Sequence, residues 1–80
     1  MRDLVLYSTE HCSLCDEALD LLLSMPELAG WSVRVVDVSA NDDLLARYGN
    51  RIPILVADGA LEYAAPFVPQ TLLTWIRELK

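Results

Sequence analysis

Residues 6–18 read LYSTEHCSLCDEA and join a short apolar segment to a leucine-rich one. They contain both cysteines of the chain, Cys12 and Cys15, separated by two residues. The apolar run at 4–7 predicts a strand buried on both faces, and apolar residues spaced by three and four over 14–25 predict an amphipathic helix. The cysteine pair is therefore expected where a strand ends and a helix begins.

This cysteine spacing suits thiol–disulfide exchange. On the first turn of a helix, one thiol attacks a substrate disulfide while the second lies close enough to resolve the mixed disulfide. We expect Cys12 to be the nucleophile, because unpaired N–H groups and the helix dipole stabilise a thiolate at the helix N-terminus. Cys15, one turn further on, suits the resolving role. The alternative is that both cysteines are buried, inert, small hydrophobic residues.

Size and composition limit the classes of function. The 80 residues make one domain, residues 1–80, and 54% of them are hydrophobic, which is enough for a packed core. The net charge is −6 and the basic residues are scattered, which argues against nucleic acid and anionic membranes as partners. The N-terminal apolar segment is too short for a signal peptide, and no stretch approaches the ~20 apolar residues of a membrane span. We therefore expect a cytoplasmic protein, in which a cysteine pair is more often catalytic or metal-binding than structural.

The rest of the chain alternates strands and helices. We predict strands at 4–7, 31–38, 54–56 and 61–63, and helices at 14–25, 42–48 and 69–79. Helical crossovers predict that the first three strands are parallel, and a hairpin with a two-residue turn at Asp58-Gly59 adds an antiparallel fourth. Gly49 is expected in the left-handed conformation that follows a helix end. The order β-α-β-α-β-β-α predicts an α/β domain with a four-stranded mixed sheet and helices on both faces.

Three features together resemble the glutaredoxin-like branch of the thioredoxin fold. They are the Cys-x-x-Cys after the first strand, Ile52-Pro53 before the third strand, and the hairpin followed by a closing helix. Residues 6–18 are similar to a small bacterial glutaredoxin-like subfamily whose members often lack an assigned physiological role. The resemblance implies a thioredoxin-like fold, a cis peptide bond before Pro53, packing of Pro53 beside the dithiol, and backbone groups of Ile52 that meet an extended substrate. From the residues alone, a trans proline opening the strand is the simpler interpretation.

The sequence departs from the glutathione-using members of that family. Such a glutaredoxin generally has Lys or Arg three residues before its first cysteine, where this chain has Thr9, and often Pro after that cysteine, where it has Ser13. A Gly-Gly pair normally offers N–H groups to a glutathione carboxylate before the last helix, but here that segment contains Pro66 and Pro69, which have no N–H. Arg51 is the residue that would meet a carboxylate instead. We expect glutathione to bind weakly or not at all.

Charged residues surround the cysteines in the sequence. Glu10, Asp16 and Glu17 oppose a thiolate by like-charge repulsion, so we expect a moderately activated thiol. His11 adjoins Cys12 and, when protonated, would offset this repulsion. The alternative is that His11 is a solvent-facing loop residue without a role.

Metal binding is the competing chemistry. His11, Cys12 and Cys15 supply three ligands, whereas structural zinc takes four, so a bound metal would have to be shared between two chains. We therefore expect no metal or other cofactor, and a monomeric thiol–disulfide oxidoreductase acting on a disulfide-containing protein or a small thiol substrate. The alternatives are a thioredoxin-fold binding module with non-catalytic thiols and a dimer-bridged carrier of metal or an iron–sulfur cluster. The candidate site consists of catalytic Cys12 and Cys15 and substrate-binding His11, Arg51, Ile52 and Pro53.

Overall fold

The computed structural model describes residues 3–58, 61–64 and 67–79. Its strands are β1 (Asp3–Ser8), β2 (Ser32–Asp37), β3 (Ile54–Ala57) and β4 (Leu61–Ala64), and its α-helices are α1 (Ser13–Ser24), α2 (Asp42–Tyr48) and α3 (Pro69–Glu78). Short 3₁₀ turns at Pro26–Leu28 and Val38–Ala40 lie before and after β2. The predicted α/β class and element order are confirmed. Among the described residues, no helix has the length and apolar character required to cross a membrane.

The four strands form one mixed sheet in the order β2-β1-β3-β4. Strand β1 pairs with β2 in parallel, and β3 is antiparallel to both β1 and β4. The prediction that the first three strands are all parallel is therefore wrong for β3. In the β1–β3 register, Tyr7 lies opposite Ile54 and Leu4 lies opposite Ala57.

The direction of β3 follows from the length of α2. A parallel β3 would require the chain to travel back along the sheet, and a six-residue strand such as β1 spans ~20 Å. Helix α2 has seven residues, and a helix of that length rises only ~10 Å. The chain therefore re-enters the sheet at the edge where β2 ended. The segment before Ile54 consequently lies at the same edge as Ser8, where the chain leaves β1 for α1.

Helices cover both faces of the sheet, as predicted. Over one face, the first core joins α1 and α3 to the two central strands through Leu4, Leu6, Ala18, Leu22, Leu28, Leu55, Ala57, Leu72 and Ile76. Over the other face, the second core joins α2 to β3 through Val38, Tyr48, Ile54 and Val56. All four residues of β3 are buried, which explains why this strand is continuously apolar rather than alternating.

Two turns differ from the prediction. Gly49 has φ −53° and ψ −32°, so it is not left-handed; its N–H donates to the Leu45 carbonyl at 2.8 Å. A Cβ at Gly49 would collide with that same carbonyl oxygen, which is a steric reason for glycine at this position. In the hairpin, Ala57 pairs with Leu61, so residues 58–60 form the connection and it is longer than two residues. Asp58 is left-handed with φ +55°, and Gly59 lies outside the described residues.

Substituting Gly49→Ala is expected to destabilise the protein, although Ala normally stabilises a right-handed helical position. The new methyl group has to displace the Leu45 carbonyl, and a steric conflict of this kind costs about 1–3 kcal/mol. Urea denaturation would measure the free energy of unfolding, with exposed Asn50→Ala as the control. A Gly49→Ala protein as stable as the wild type would contradict this steric role.

Candidate dithiol site

Cys12 occupies the N-cap of α1. Its backbone is extended, with φ −109° and ψ 101°, and its Sγ accepts the N–H of Cys15 at 3.1 Å. Its carbonyl oxygen accepts the N–H of Asp16 at 3.2 Å, which begins the helical hydrogen bonding. A sulfur atom thus takes the place that a Ser, Thr, Asp or Asn oxygen fills at most helix N-termini. As predicted, the cysteine pair lies where β1 leads into α1.

The two cysteines are joined in a disulfide, with their Cα atoms 5.2 Å apart. Their exposure is unequal: Cys15 is buried with 3% of its surface accessible, whereas Cys12 is only half-buried. Leu14, between them, is 60% exposed. One sulfur therefore lies near the surface and the other lies beneath it. The roles of nucleophile and resolving thiol stay predictions.

The loop between β1 and α1 places His11 directly before Cys12. His11 is exposed and has φ +57°, a left-handed conformation that is uncommon for residues other than glycine. His11 is thus a solvent-exposed residue directly before the N-cap residue in the chain. A substrate-binding role of His11 stays a prediction.

Carboxylates are the dominant charges near the dithiol. Glu10, Asp16 and Glu17 are all exposed, and the sequence has no Lys or Arg between residues 3 and 33. Asp37 lies opposite Ser8 in the β1–β2 register, hence at the same sheet edge. The hydroxyl (2.6 Å) and backbone N–H (2.8 Å) of Ser39 donate to the Asp37 carboxylate and lower its pKa. That carboxylate is therefore used as the cap of the 3₁₀ turn that follows β2.

Ile52 and Pro53 lie at this same edge, because they immediately precede β3. The peptide bond between them is cis. Pro53 is fully buried, and Ile52 is half-buried against the second core. The sheet topology thus brings the end of β1, the N-terminus of α1 and the start of β3 to one edge of the molecule.

Arg51 is directed away from α1. Its Nη1 forms an ion pair with the Glu62 carboxylate at 3.0 Å. Glu62 lies opposite Val56 in the β3–β4 register, and Val56 belongs to the second core, so the pair lies on the face that α2 covers. Helix α1 packs on the opposite face. The structure therefore does not bring the Arg51 guanidinium to the dithiol, and substrate binding by Arg51 stays a prediction.

Sequence reasoning missed two neighbours of this edge. One is Glu62, the ion-pair partner of Arg51, which is eleven residues away and has no local pattern to reveal it. The other is Tyr48, which is buried and stacks on Tyr7 with ring centroids 4.4 Å apart. The available signal for Tyr48 was its position as a large aromatic residue at the end of a short helix that has one face to bury.

No three His, Cys, Asp or Glu side chains in the described parts of the chain are grouped closely enough to hold a metal ion. Of the two prolines expected to offer no N–H group to a glutathione carboxylate, Pro66 lies outside the described residues. Pro69 is the first residue of α3.

Comparison with known proteins agrees with this geometry. The model of the family described as "Glutaredoxin-like domain (DUF836)" matches residues 3–77. The X-ray structure of Northeast Structural Genomics target protein XcR50 from X. campestris is similar, with a TM-score of 0.81 and 28% identity, over 94% of this chain and 96% of that one. The solution structure of the same target gives a TM-score of 0.77 at 28% identity, over 98% of this chain and 95% of that one.

A more distant structure has the same fold. A mutant thioredoxin from Halobacterium salinarum NRC-1 has a TM-score of 0.70 and 24% identity, over 96% of this chain and 73% of that one. This likeness supports a thioredoxin fold. No curated protein sequence matches the chain.

Unequal burial predicts unequal reactivity of the thiols. After reduction and brief treatment of the folded protein with iodoacetamide, we expect mass spectrometry to find alkylation at Cys12 before Cys15, because Cys15 is 3% exposed. In urea, where both side chains are accessible, the two rates should become similar. Faster alkylation of Cys15 in the folded protein would contradict the assignment of Cys12 as the outer thiol.

Proposed function

This chain belongs to the glutaredoxin-like domain family (DUF836), and from that premise we propose that it is a thiol–disulfide oxidoreductase whose reaction is carried by Cys12 and Cys15. The observation that carries the proposal is the bonded cysteine pair at the N-terminus of α1, with one sulfur near the surface and the other buried. A binding module with incidental thiols has no requirement for this arrangement.

The proposed reaction begins with the reduced protein. The Cys12 thiolate attacks one sulfur of a substrate disulfide; a Cys12–substrate bond forms, the substrate disulfide breaks, and the other substrate sulfur leaves as a thiolate. The Cys15 thiolate then attacks Cys12 Sγ, which forms the Cys12–Cys15 disulfide and releases the second substrate thiolate. Two electrons pass to the substrate, and the two protons lost by the cysteines are taken up by the leaving thiolates. A thiol reductant restores the dithiol.

Two features of the helix terminus support Cys12 as the attacking thiol. The N–H of Cys15 is directed at Cys12 Sγ, and a hydrogen-bond donor in this position stabilises negative charge on sulfur. The half-exposed position of Cys12 lets a substrate sulfur approach it, whereas buried Cys15 reacts only with a sulfur already attached to Cys12. Nucleophile and resolving thiol are thus separated by burial.

We propose that His11, Ile52 and Pro53 line the substrate site. Exposed His11 directly precedes the N-cap residue Cys12 in the chain, and the Ile52–Pro53 segment lies at the edge of the sheet where β1 ends. An extended substrate backbone alongside Ile52 would present its disulfide toward Cys12. This arrangement favours disulfides in accessible, extended protein segments.

Glutathione is a poor candidate for this site. Thr9 is uncharged, and the Arg51 guanidinium is already paired with Glu62. The exposed carboxylates of Glu10, Asp16 and Glu17 repel an anionic tripeptide. We therefore propose that a protein donor or another thiol supplies the electrons. We further propose that the protein acts as a monomer in the cytoplasm, where a reducing environment keeps the dithiol available.

Disulfide reduction tests the proposed function. With a disulfide-bonded protein as substrate and dithiothreitol as electron source, Cys12→Ser is expected to lower the rate to the uncatalysed background, because the attacking sulfur is gone. Cys15→Ser is expected to accumulate a mixed disulfide at Cys12, visible by mass spectrometry, because the resolving sulfur is gone.

The control variant is Ser24→Ala, at the other end of α1, which should retain the wild-type rate. Equal and negligible rates for the wild type and Cys12→Ser would favour the binding-module alternative. A mixed disulfide found on Cys15 of Cys12→Ser at the same rate would reverse the proposed roles.

When reduced glutathione is titrated into the reduced Cys15→Ser protein, we expect the NMR amide shifts of the protein to show no saturable change below about 1 mM glutathione. Substituting Thr9→Lys should tighten binding by about tenfold or more, because one charge-assisted hydrogen bond contributes ~1.5–3 kcal/mol. Ser24→Lys adds the same charge away from the site and should leave binding unchanged. Sub-millimolar binding to the Cys15→Ser protein that retains Thr9, with shifts centred on the amides of Ile52 and Ile54, would contradict the proposal.

A further inference from the structure

Both the backbone and the side chain of Arg51 contact other residues, which belong to α2 and β4. Its backbone N–H donates to the Tyr48 carbonyl at 2.8 Å, and its Nη2 donates to the Arg47 carbonyl at 3.1 Å. Its guanidinium lies 5.4 Å from the centroid of the Tyr48 ring and forms the ion pair with Glu62 at 3.0 Å. One side chain thus links the C-terminal end of α2 to β4.

The residues that Arg51 contacts are themselves packed against the sheet or part of it. The Tyr48 ring beneath Arg51 is buried and stacks on Tyr7, one residue before the end of β1. Glu62 belongs to β4, which is paired with β3. The Arg51 guanidinium is therefore bound both to the end of α2 and to the sheet. These two elements flank the short segment at residues 49–53, to which Arg51 belongs.

We propose that Arg51 is a positioning residue that fixes the Ile52–Pro53 wall of the substrate site, rather than a ligand for a substrate carboxylate. This inference rests on the proposed function, because it concerns the same site. Arg51 lies next to Ile52 in the chain, so its anchoring restricts the backbone at which an extended substrate would pair. Its guanidinium lies on the sheet face covered by α2, away from the helix that carries the dithiol.

The two roles of Arg51 predict opposite effects of removing the Glu62 charge. If Arg51 were a carboxylate ligand, Glu62→Gln would release the guanidinium and improve activity toward anionic disulfides. If Arg51 positions the wall, Glu62→Gln removes one of its anchors and weakens activity toward every disulfide, uncharged ones included. The sign of this effect distinguishes the roles.

The test compares kcat and KM for a blocked peptide disulfide without charged side chains and for glutathione disulfide, with dithiothreitol as the electron source. We expect Arg51→Gln to raise KM about three- to thirtyfold for both substrates, because it removes a partly exposed ion pair and a cation–π contact together. Glu62→Gln removes only the ion pair and should raise KM by up to about fivefold. The KM values of Arg51→Lys should lie between those of the wild type and those of Arg51→Gln. The iodoacetamide rate of reduced Cys12 should be unchanged in all of them, because the alkylating agent does not use the wall.

Arg47→Gln is the matched control. Arg47 also lies over the Tyr48 ring, at 6.0 Å, but its side chain does not hold Glu62; its backbone carbonyl, which Arg51 uses, is retained. We expect its KM values to equal those of the wild type. A KM increase limited to glutathione disulfide in Arg51→Gln, together with a decrease in Glu62→Gln, would overturn the proposal in favour of a ligand role.

Hydrogen exchange separates failure of this proposal from failure of the proposed function. Arg51→Gln and Glu62→Gln should lower the protection of the residue-51 amide, which donates to the Tyr48 carbonyl, while Arg47→Gln should not. A wild-type protein that reduces no disulfide would refute the oxidoreductase function, and with it any substrate wall. Unchanged protection of the residue-51 amide in both Arg51→Gln and Glu62→Gln would refute positioning by Arg51 even in an active enzyme.

Discussion

Strands β1 and β3 lie side by side in opposite directions, with Tyr7 opposite Ile54, and this pairing places the dithiol and the Ile52–Pro53 segment at one edge of the sheet. Because β3 starts where β1 ends, Pro53 and Cys12 lie next to neighbouring strand ends. A parallel β3 would place Pro53 at the opposite edge of the sheet. The dithiol would then be about 20 Å away, because that is the length of a six-residue strand such as β1. The placement of the dithiol and the Ile52–Pro53 wall at one edge of the sheet is thus a consequence of one strand direction.

The dithiol and the Ile52–Pro53 wall are supported by different cores. Helix α1, which carries the dithiol, packs through Ala18 and Leu22 on the first core, whereas Ile52 packs on the second. Since β1 and β3 contribute to both faces, a side chain such as Tyr7 couples the second core to the strand that leads to Cys12.

Local patterns were sufficient to predict most of the fold. Apolar periodicity located the strands and helices, and the cysteine spacing located the dithiol at the junction of β1 and α1. The order of elements alone does not predict the direction of β3, because that direction depends on α2 being too short to span the sheet. The environment of Arg51 was also missed, because Glu62 is joined to it only through the β3–β4 pairing. Such non-local contacts depend on register, which a single sequence does not specify.

Opposing electrostatic effects act on the Cys12 sulfur. The N-terminus of a helix stabilises a negative charge by ~0.3–1 kcal/mol, and the Cys15 N–H is directed at this sulfur. Each like charge on the helix surface opposes it by ~0.2–0.5 kcal/mol, and solvent screens Glu10, Asp16 and Glu17 because all three are exposed. The helix terminus is not screened to the same extent, because Cys12 is half-buried. For the proposed reaction, in which the Cys12 sulfur attacks a substrate and then leaves, we expect these opposing effects to give a moderately stabilised thiolate.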